Sequence, residues 1–414
     1  TASIFQPISA GFVAAISGFA TSFALVIAAL AAVGATDAQA ASGLLAVCLA
    51  IALVSTVSAL WLRIPLAIAW STPGAAVLLA AAGNGIAFSD AVGAFLFSAV
   101  LVALSGLWPA MGRAIVGIPR PLASALLAGV LFPICLAPIE AVATLPLLAG
   151  PIVIVWLVLY RLAPRWAVPA AMLVAVIAVL ISAGTDWLGE ANLAPQLAFV
   201  TPSFDLFTVL SLGLPLFIVT MAGQNVPGFV VLSNNGYRPP VRFALVGTGL
   251  GSFGAALFGG HAVNMGAITA AIMAGPDSHP DPHRRWIATL TNGLLYVPLG
   301  LAAGVAVALV GAAPEILIIA VAGLAVLGAL ITSVVNLLEE PAHRVAAIVT
   351  FLIVASGIVV AGVGSAFWGL LAGGVVMLWL GWRRKPAGAP VVALGGAPVV
   401  GPGLTTDSDD SGDR

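Results

Sequence analysis

Apolar residues run along this chain in blocks of roughly twenty, broken by short clusters of Gly, Pro and charged residues. A helix needs about 20 mostly apolar residues to cross the hydrocarbon core of a bilayer. Cutting at the punctuation predicts fourteen spanning segments: 4–33, 39–61, 64–82, 90–108, 121–138, 145–161, 166–184, 205–231, 240–258, 260–275, 286–310, 315–335, 344–361 and 365–382. Seven precede the polar stretch 185–204 and seven follow it. The run from Phe23 to Ala32 before Ala38-Gln39-Ala40 has the outline of a secretory leader with a small-residue cleavage site. No basic residue precedes it and its apolar stretch is too long, so it is read as a first spanning helix.

Charge sharpens this picture. The 414 residues include 14 Lys and Arg and 15 Asp and Glu, so 7% are charged and 61% hydrophobic. A soluble domain carries about 25% charged residues. That excludes a cytosolic enzyme, a nucleic-acid binder and a secreted disulfide scaffold. A net charge of −1 offers no field to recruit nucleic acid. Cys48 and Cys135 sit in apolar runs with no metal or redox spacing and read as core thiols. No cofactor or metal is expected.

Cytoplasmic loops of membrane proteins collect Lys and Arg. With fourteen spans, one side of the membrane receives Arg63, Arg113, Arg120, Arg161, Arg165, Arg238, Arg242, Arg284, Arg285 and Arg344, followed by Arg383, Arg384 and Lys385. Only Arg414 is left over. The opposite loops hold Asp37, Asp90, Glu140, Asp186, Glu190, Asp205 and Glu315 with no basic residue. Adding or removing a span would scatter the basic residues over both sides. Both termini are therefore expected in the cytoplasm.

Seven is odd, so the second half must enter the membrane inverted relative to the first, as in many secondary transporters. The expected organisation is a first repeat over 1–184, a non-cytoplasmic connection over 185–204, a second repeat over 205–382 and a disordered cytoplasmic tail over 383–414.

The third segment of each half is broken. In the first, Ile64 to Trp70 is too short to span and ends at Ser71-Thr72-Pro73-Gly74. Ser71 or Thr72 can cap a helix and Pro73 suits its first turn. The expectation is an extended piece and then a half-helix starting near the bilayer midplane. In the second, Gly259-Gly260 interrupts the chain before His261, and Asn264 is expected to cap a second half-helix. Either could be an ordinary kinked helix. Their matching positions point instead to a transport site.

Gln224 and Asn225, in the first segment of the second half, are costly in lipid and should face the interior of the bundle. The matching span carries Ser17, Thr21 and Ser22, which serve equally well as helix–helix contacts. No Asp, Glu, Lys or Arg falls in the middle of a span, and His261 is the one intramembrane imidazole. It reads either as a buried structural His or, at the start of a half-helix, as the candidate for handling a proton.

Three stretches closely resemble the benzoate:proton symporter (BenE-type) family: Ala69 to Gly74, Leu214 to Gly228, and Phe258 to Asn264 with Ala267-Ile268-Thr269. The likeness runs over about residues 4–382. It implies the inverted-repeat fold shared with uracil permeases and sulfate-type anion transporters. There a core domain (spans one to four and eight to eleven) moves against a gate domain (five to seven and twelve to fourteen). It also implies proton-coupled uptake of benzoate or a related aromatic acid through the inner (plasma) membrane, with a homodimer left open. Nucleobase transporters of this fold usually carry a glutamate in span eight, where this chain has Gln224 and Asn225. The carboxyl-terminal domain of sulfate-type relatives has no counterpart in 383–414. Both departures favour the aromatic-acid branch.

The residues support an anion site independently. Two facing half-helix N-termini offer unpaired N–H groups and positive dipole ends without a buried cation. Ser71, Thr72, Gly74 and Asn264 are expected to hold the carboxylate, with Gln224 donating a hydrogen bond beside Asn225. Phe19, Trp70 or Phe229 would flank the ring. Proton coupling would run through His261 or through carriage of the neutral acid. The rivals are transport of another small anion or a nucleobase, a channel, or a membrane-embedded enzyme. A channel lacks a filter motif here, and an enzyme lacks convergent acids, bases or metal ligands.

Overall fold

A computed structural model describes residues 4–108, 110, 119–184 and 193–381. Arg113, Asp186, Glu190, much of the connection 185–204 and the whole segment from 382 onward lie outside the described residues, so the expectations placed on them stay as expectations.

The first half comprises α1 (Phe5–Ala32), α2 (Asp37–Leu62), β1 (Ile68–Trp70), α3 (Thr72–Ala80), α4 (Phe88–Leu107), α5 (Arg120–Thr144), α6 (Pro146–Leu162) and α7 (Pro164–Ala183). The second comprises α8 (Leu206–Asn234), α9 (Val241–Ala256), β2 (Val263–Met265), α10 (Ala267–Ala274), α11 (Trp286–Leu301), α12 (Ala303–Ala312) and α13 (Glu315–Glu339). It ends with α14 (Arg344–Ala355), the strands β3 (Val359–Val360) and β4 (Val363–Gly364), and α15 (Ser365–Gly381). Twelve of the fourteen expected segments each fall on one helix or on one strand–helix unit. Seven described helices are long and apolar enough to cross a bilayer alone, or eight if the bent α11–α12 pair is taken as one.

Two segments differ from expectation. Residues 286–310 are not one rod, because α11 and α12 meet at a bend of 58°. Pro298 inside α11 removes a hydrogen bond and crowds the preceding turn, the usual cause of a sharp kink. The segment 344–361 stops being helical at Ala355. Gly357 turns at φ +66°, after which β3 and β4 pair through Ala361 and Gly362, both at positive φ as a tight hairpin turn requires.

Packing between helices repeats when the halves are exchanged. The α2–α11 contact is matched by α9–α4, α1–α10 by α8–α3, and α6–α7 by α14–α15. The pairs β1–β2, α2–α9 and α5–α13 join each element to its own counterpart. This is the signature of an inverted repeat: two similar sequences bury their apolar faces most fully by closing around a pseudo-twofold axis.

Contacts in the loops sort the two faces. Gln6 donates to the Asp277 carbonyl, the Tyr237 hydroxyl to the Pro282 carbonyl, and Arg63 lies over the Trp286 ring. These place the N-terminus and the loops bearing Arg63, Arg238 and Arg284 together. On the opposite face, Ser203 bonds to Asp90, and Asp37 and Glu315 border one cavity.

Lipid offers no hydrophobic drive for helices to associate, so close approach through small residues matters. On α13, a Cβ at Gly323 would sit 2.4 Å from the Ile134 carbonyl oxygen of α5, whereas one at Gly328 would meet nothing within 4 Å. Gly323→Leu should therefore forfeit about 1–3 kcal/mol or more through overpacking and lower the melting temperature in detergent. Gly328→Leu should melt like the parent protein, and equal melting of the two variants would contradict this account of the interface.

Candidate functional site

The site is built around backbone that is not helical. After α2 ends at Arg63 (φ +51°), β1 runs extended into the interior. After α9 ends, Gly259 (φ +87°) and Gly260 turn the chain back, with Gly260 N–H bonded to the Ala255 carbonyl. The strands pair antiparallel, with Ile68 opposite Met265, Ala69 opposite Asn264 and Trp70 opposite Val263. Ser71 N–H to Ala262 O (2.9 Å) and Gly266 N–H to Ala67 O (3.0 Å) extend the ladder at both ends. Ser252 of α9 closes the outer edge, its hydroxyl accepting from Val263 N–H at 2.8 Å and donating to the Val263 carbonyl at 3.1 Å.

Ser71 caps α3 as expected. Its Oγ accepts from Gly74 N–H at 3.0 Å and bonds to Thr220 Oγ1 of α8 at 2.8 Å. His261 Nε2 donates to the Ser71 carbonyl at 3.0 Å. A carbonyl only accepts, so Nε2 carries the proton, and the buried Nδ1 has no partner among the described residues. With its amide nitrogen facing the carbonyls of Ala69 and Met265 (3.2 Å each), Asn264 accepts from Ser71 Oγ at 3.2 Å.

Two expectations are corrected here. Asn264 does not cap α10. It lies inside β2, and the N-cap position is Gly266, which makes no side-chain cap. Nor does His261 start a half-helix, since it precedes β2. The cause is the same in both cases: strand pairing continues through Met265, so the helix begins only after it. The Gly74 amide, expected to face a ligand, is already taken by Ser71.

The helix α8 supplies the third wall. It widens to π-turns at Val209–Gly213 and Met221–Asn225, before Pro215 and Pro227 respectively, since a proline nitrogen cannot donate to the helical ladder. Asn225 Oδ1 accepts from Met265 N–H at 2.9 Å, and Gln224 Oε1 accepts from Ala267 N–H, the first amide of α10, at 3.4 Å. A Cβ at Gly223 would stand 3.5 Å from Pro73 of α3. The turn is thus wedged between the starts of both half-helices. Because α10 claims Oε1, the Gln224 amide nitrogen points elsewhere and has no partner among the described residues.

From α1, Phe19 stacks on Phe23 (5.3 Å between centroids) and tilts against Trp70 (5.5 Å). Trp70 Nε1 donates to Ser22 Oγ at 2.8 Å, and its ring meets Tyr296 of α11 edge-on at 5.7 Å. Phe229 only packs against the apolar core. The structure therefore divides the candidates. Ser71, Trp70, Gly74, Asn225, His261 and Asn264 are buried and tied to one another, whereas Phe19, Thr72 and Gln224 remain half-buried.

Several members of this frame carry no signal in the sequence that ranks them. Thr220 and Ser252 look like any membrane-helix hydroxyl. Arg285 reads as a loop charge, yet it is buried and donates to the carbonyls of Ala274 and His279 at 2.7 Å each, placing a cation at the C-terminus of α10. A cavity of about 740 Å³ opens between α1, α3, α5 and α12–α14 on the Asp37 and Glu315 side. It touches α3 at Val77, Leu79 and Ala80 but not Phe19, Thr72 or Gln224.

The sequence profile of the benzoate membrane transport protein family, BenE, matches residues 3–379. The chain belongs to the BenE family. It is 38% identical over 367 residues to the inner membrane protein YdcO of Escherichia coli K12, covering 88% of this chain and 93% of that protein. It is 34% identical over 334 residues to the benzoate membrane transport protein of Acinetobacter baylyi, covering 78% and 83%. Among solved structures, the transmembrane domain of the cyanobacterial bicarbonate transporter BicA shares its fold, with a TM-score of 0.56 at 16% identity over 89% of this chain and 96% of that one. Murine Slc26a9, an anion transporter solved in the inward-facing state, shares it at a TM-score of 0.59 and 14% identity, over 91% and 68%. This BenE-family chain is a multi-pass membrane transporter with the inverted-repeat fold.

In this family member, Asn225→Ala would leave the buried Met265 N–H unpaired at a cost of about 1–3 kcal/mol. Gln224→Ala removes only a long hydrogen bond from a half-buried residue and should cost less. Thermal unfolding in detergent should rank the parent and Gln224→Ala together, well above Asn225→Ala. The reverse order would refute the division into frame and lining.

Proposed function

We propose that this chain is a secondary active transporter that takes up benzoate or a related aromatic carboxylate across the inner membrane together with a proton. One observation carries the reading: Gln224, fixed through its oxygen by the first amide of α10, presents an unused N–H₂ donor between two half-helix starts. A carboxylate needs donors and positive dipole ends, while its ring needs apolar faces. Thr72, Gln224 and Phe19 would line the site. Ser71, Trp70, Gly74, Asn225, His261 and Asn264 would form the frame behind it. The names of the curated relatives, one a benzoate transporter and one an inner membrane protein, agree with this substrate and location.

The lack of a cation in the spans gives the proton its role. Carrying an anion alone through a low-dielectric interior would leave an uncompensated charge. A proton bound with it, at the free Nδ1 of His261 or on the acid itself, removes that cost. Both termini would be cytoplasmic, as the basic loops indicate. Within the repeats 1–184 and 205–382, α5–α7 with α13–α15 would form the gate against which the remaining helices move.

Proteoliposomes should accumulate labelled benzoate when the outside is acidified, and a protonophore should abolish this. Gln224→Ala should raise the half-saturation concentration about tenfold, the equivalent of one hydrogen bond to a charged acceptor. His261→Ala should lower accumulation driven by the pH gradient. Uptake independent of the gradient would sink the coupling, and parent-like uptake by both variants would remove these residues from the mechanism.

A further inference from the structure

Tyr296 is the largest fully buried side chain described, 1% exposed, in the middle of α11. A buried tyrosine normally finds a partner for its hydroxyl. This one has none among the described residues. The ring is held edge-on against Trp70, which Ser22 fixes in turn, so the hydroxyl is aimed by packing alone. It is aimed at the bare backbone of Gly18 on α1. A Cβ there would lie 3.1 Å from Tyr296 Oη and 3.7 Å from Thr269 Cγ2, in the first turn of α10. An unpaired donor, the bare glycine backbone packed close against it and the N-terminal turn of a half-helix therefore converge next to Phe19 and Trp70.

We infer that Tyr296 is a substrate-contact residue whose hydroxyl donates a hydrogen bond to the carboxylate. This rests on the reading of the half-helix starts as the anion site. The chemistry suits a neutral site. A phenol O–H adds a charge-assisted donor without placing a cation in the empty pocket. The aromatic faces of Phe19, Trp70 and Tyr296 would leave one wall apolar for the ring. Gly18 is then required because a Cβ there would press against the hydroxyl.

The test uses the full-length protein in detergent and in proteoliposomes. Tyr296→Phe deletes one oxygen and keeps the ring packing. It should raise the half-saturation concentration for benzoate about tenfold, leave the maximal rate within about twofold, and leave the melting temperature without ligand unchanged. Gly18→Ala should weaken benzoate similarly by crowding the hydroxyl. Tyr237→Phe, which alters a loop tyrosine, should not. Parent-like half-saturation in both Tyr296→Phe and Gly18→Ala would overturn the inference, as would a loss of ligand-free stability in Tyr296→Phe with benzoate binding intact. Ligand-induced thermal shifts with benzoate, nicotinate, bicarbonate and uracil separate it from the substrate reading. If another anion stabilises the parent and benzoate does not, the benzoate reading fails, while loss of that shift in Tyr296→Phe still supports a hydroxyl donor. A shift retained in Tyr296→Phe overturns it.

Discussion

The antiparallel pairing of β1 with β2 is the interaction on which the rest of the site depends. Unwound backbone inside a bilayer exposes donors and acceptors that lipid cannot satisfy, each costing several kcal/mol. Here the two unwound segments satisfy one another, Ala69 opposite Asn264 at the centre, with Ser252 closing one edge. Neither half can do this alone. Pairing across the pseudo-twofold axis also fixes where α3 and α10 begin and sets their N-termini near each other.

A second layer of hydrogen bonds turns this crossing into a rigid frame. Ser71, Thr220, Asn264, Asn225 and the Nε2 of His261 spend their polar groups on backbone and on each other. What is left over is the Gln224 amide nitrogen, the His261 Nδ1, half-buried Thr72 and the aromatic side of α1. The buried cation of this region, Arg285, stands at the opposite end of α10, where it reinforces the helix dipole without occupying the site. On the proposed reading, anion recognition would fall to oriented neutral groups, which leave no uncompensated charge when the site is empty.

Much of this was legible along the chain, for physical reasons that differ by residue. Ser71-Thr72-Pro73 reads as a cap because capping chemistry is local, and Ser71 does cap α3. Asn264 looked like a cap on the same local grounds and is not one, since a strand partner nearly two hundred residues away in sequence outcompetes the local option. His261 was misplaced for the same reason. The bend at Pro298 carries a local signal, a proline within a helix, but its 58° amplitude depends on how α12 packs. Thr220, Ser252 and Arg285 carry no distinguishing signal, because their roles exist only in what they touch.

The sequence by itself determined the solvent and the two breaks in matching positions. These follow from the cost of burying charge and from the local chemistry of Gly, Pro and Ser, which neighbours in sequence decide. Only the tertiary structure decided which polar groups are consumed by the frame and which stay free. A hydrogen bond has one donor and one acceptor, and here the partners come from distant parts of the chain, in several cases from opposite halves. The same four residue types, Ser, Thr, Asn and Gln, serve as frame or as lining according to which neighbour the inverted fold supplies.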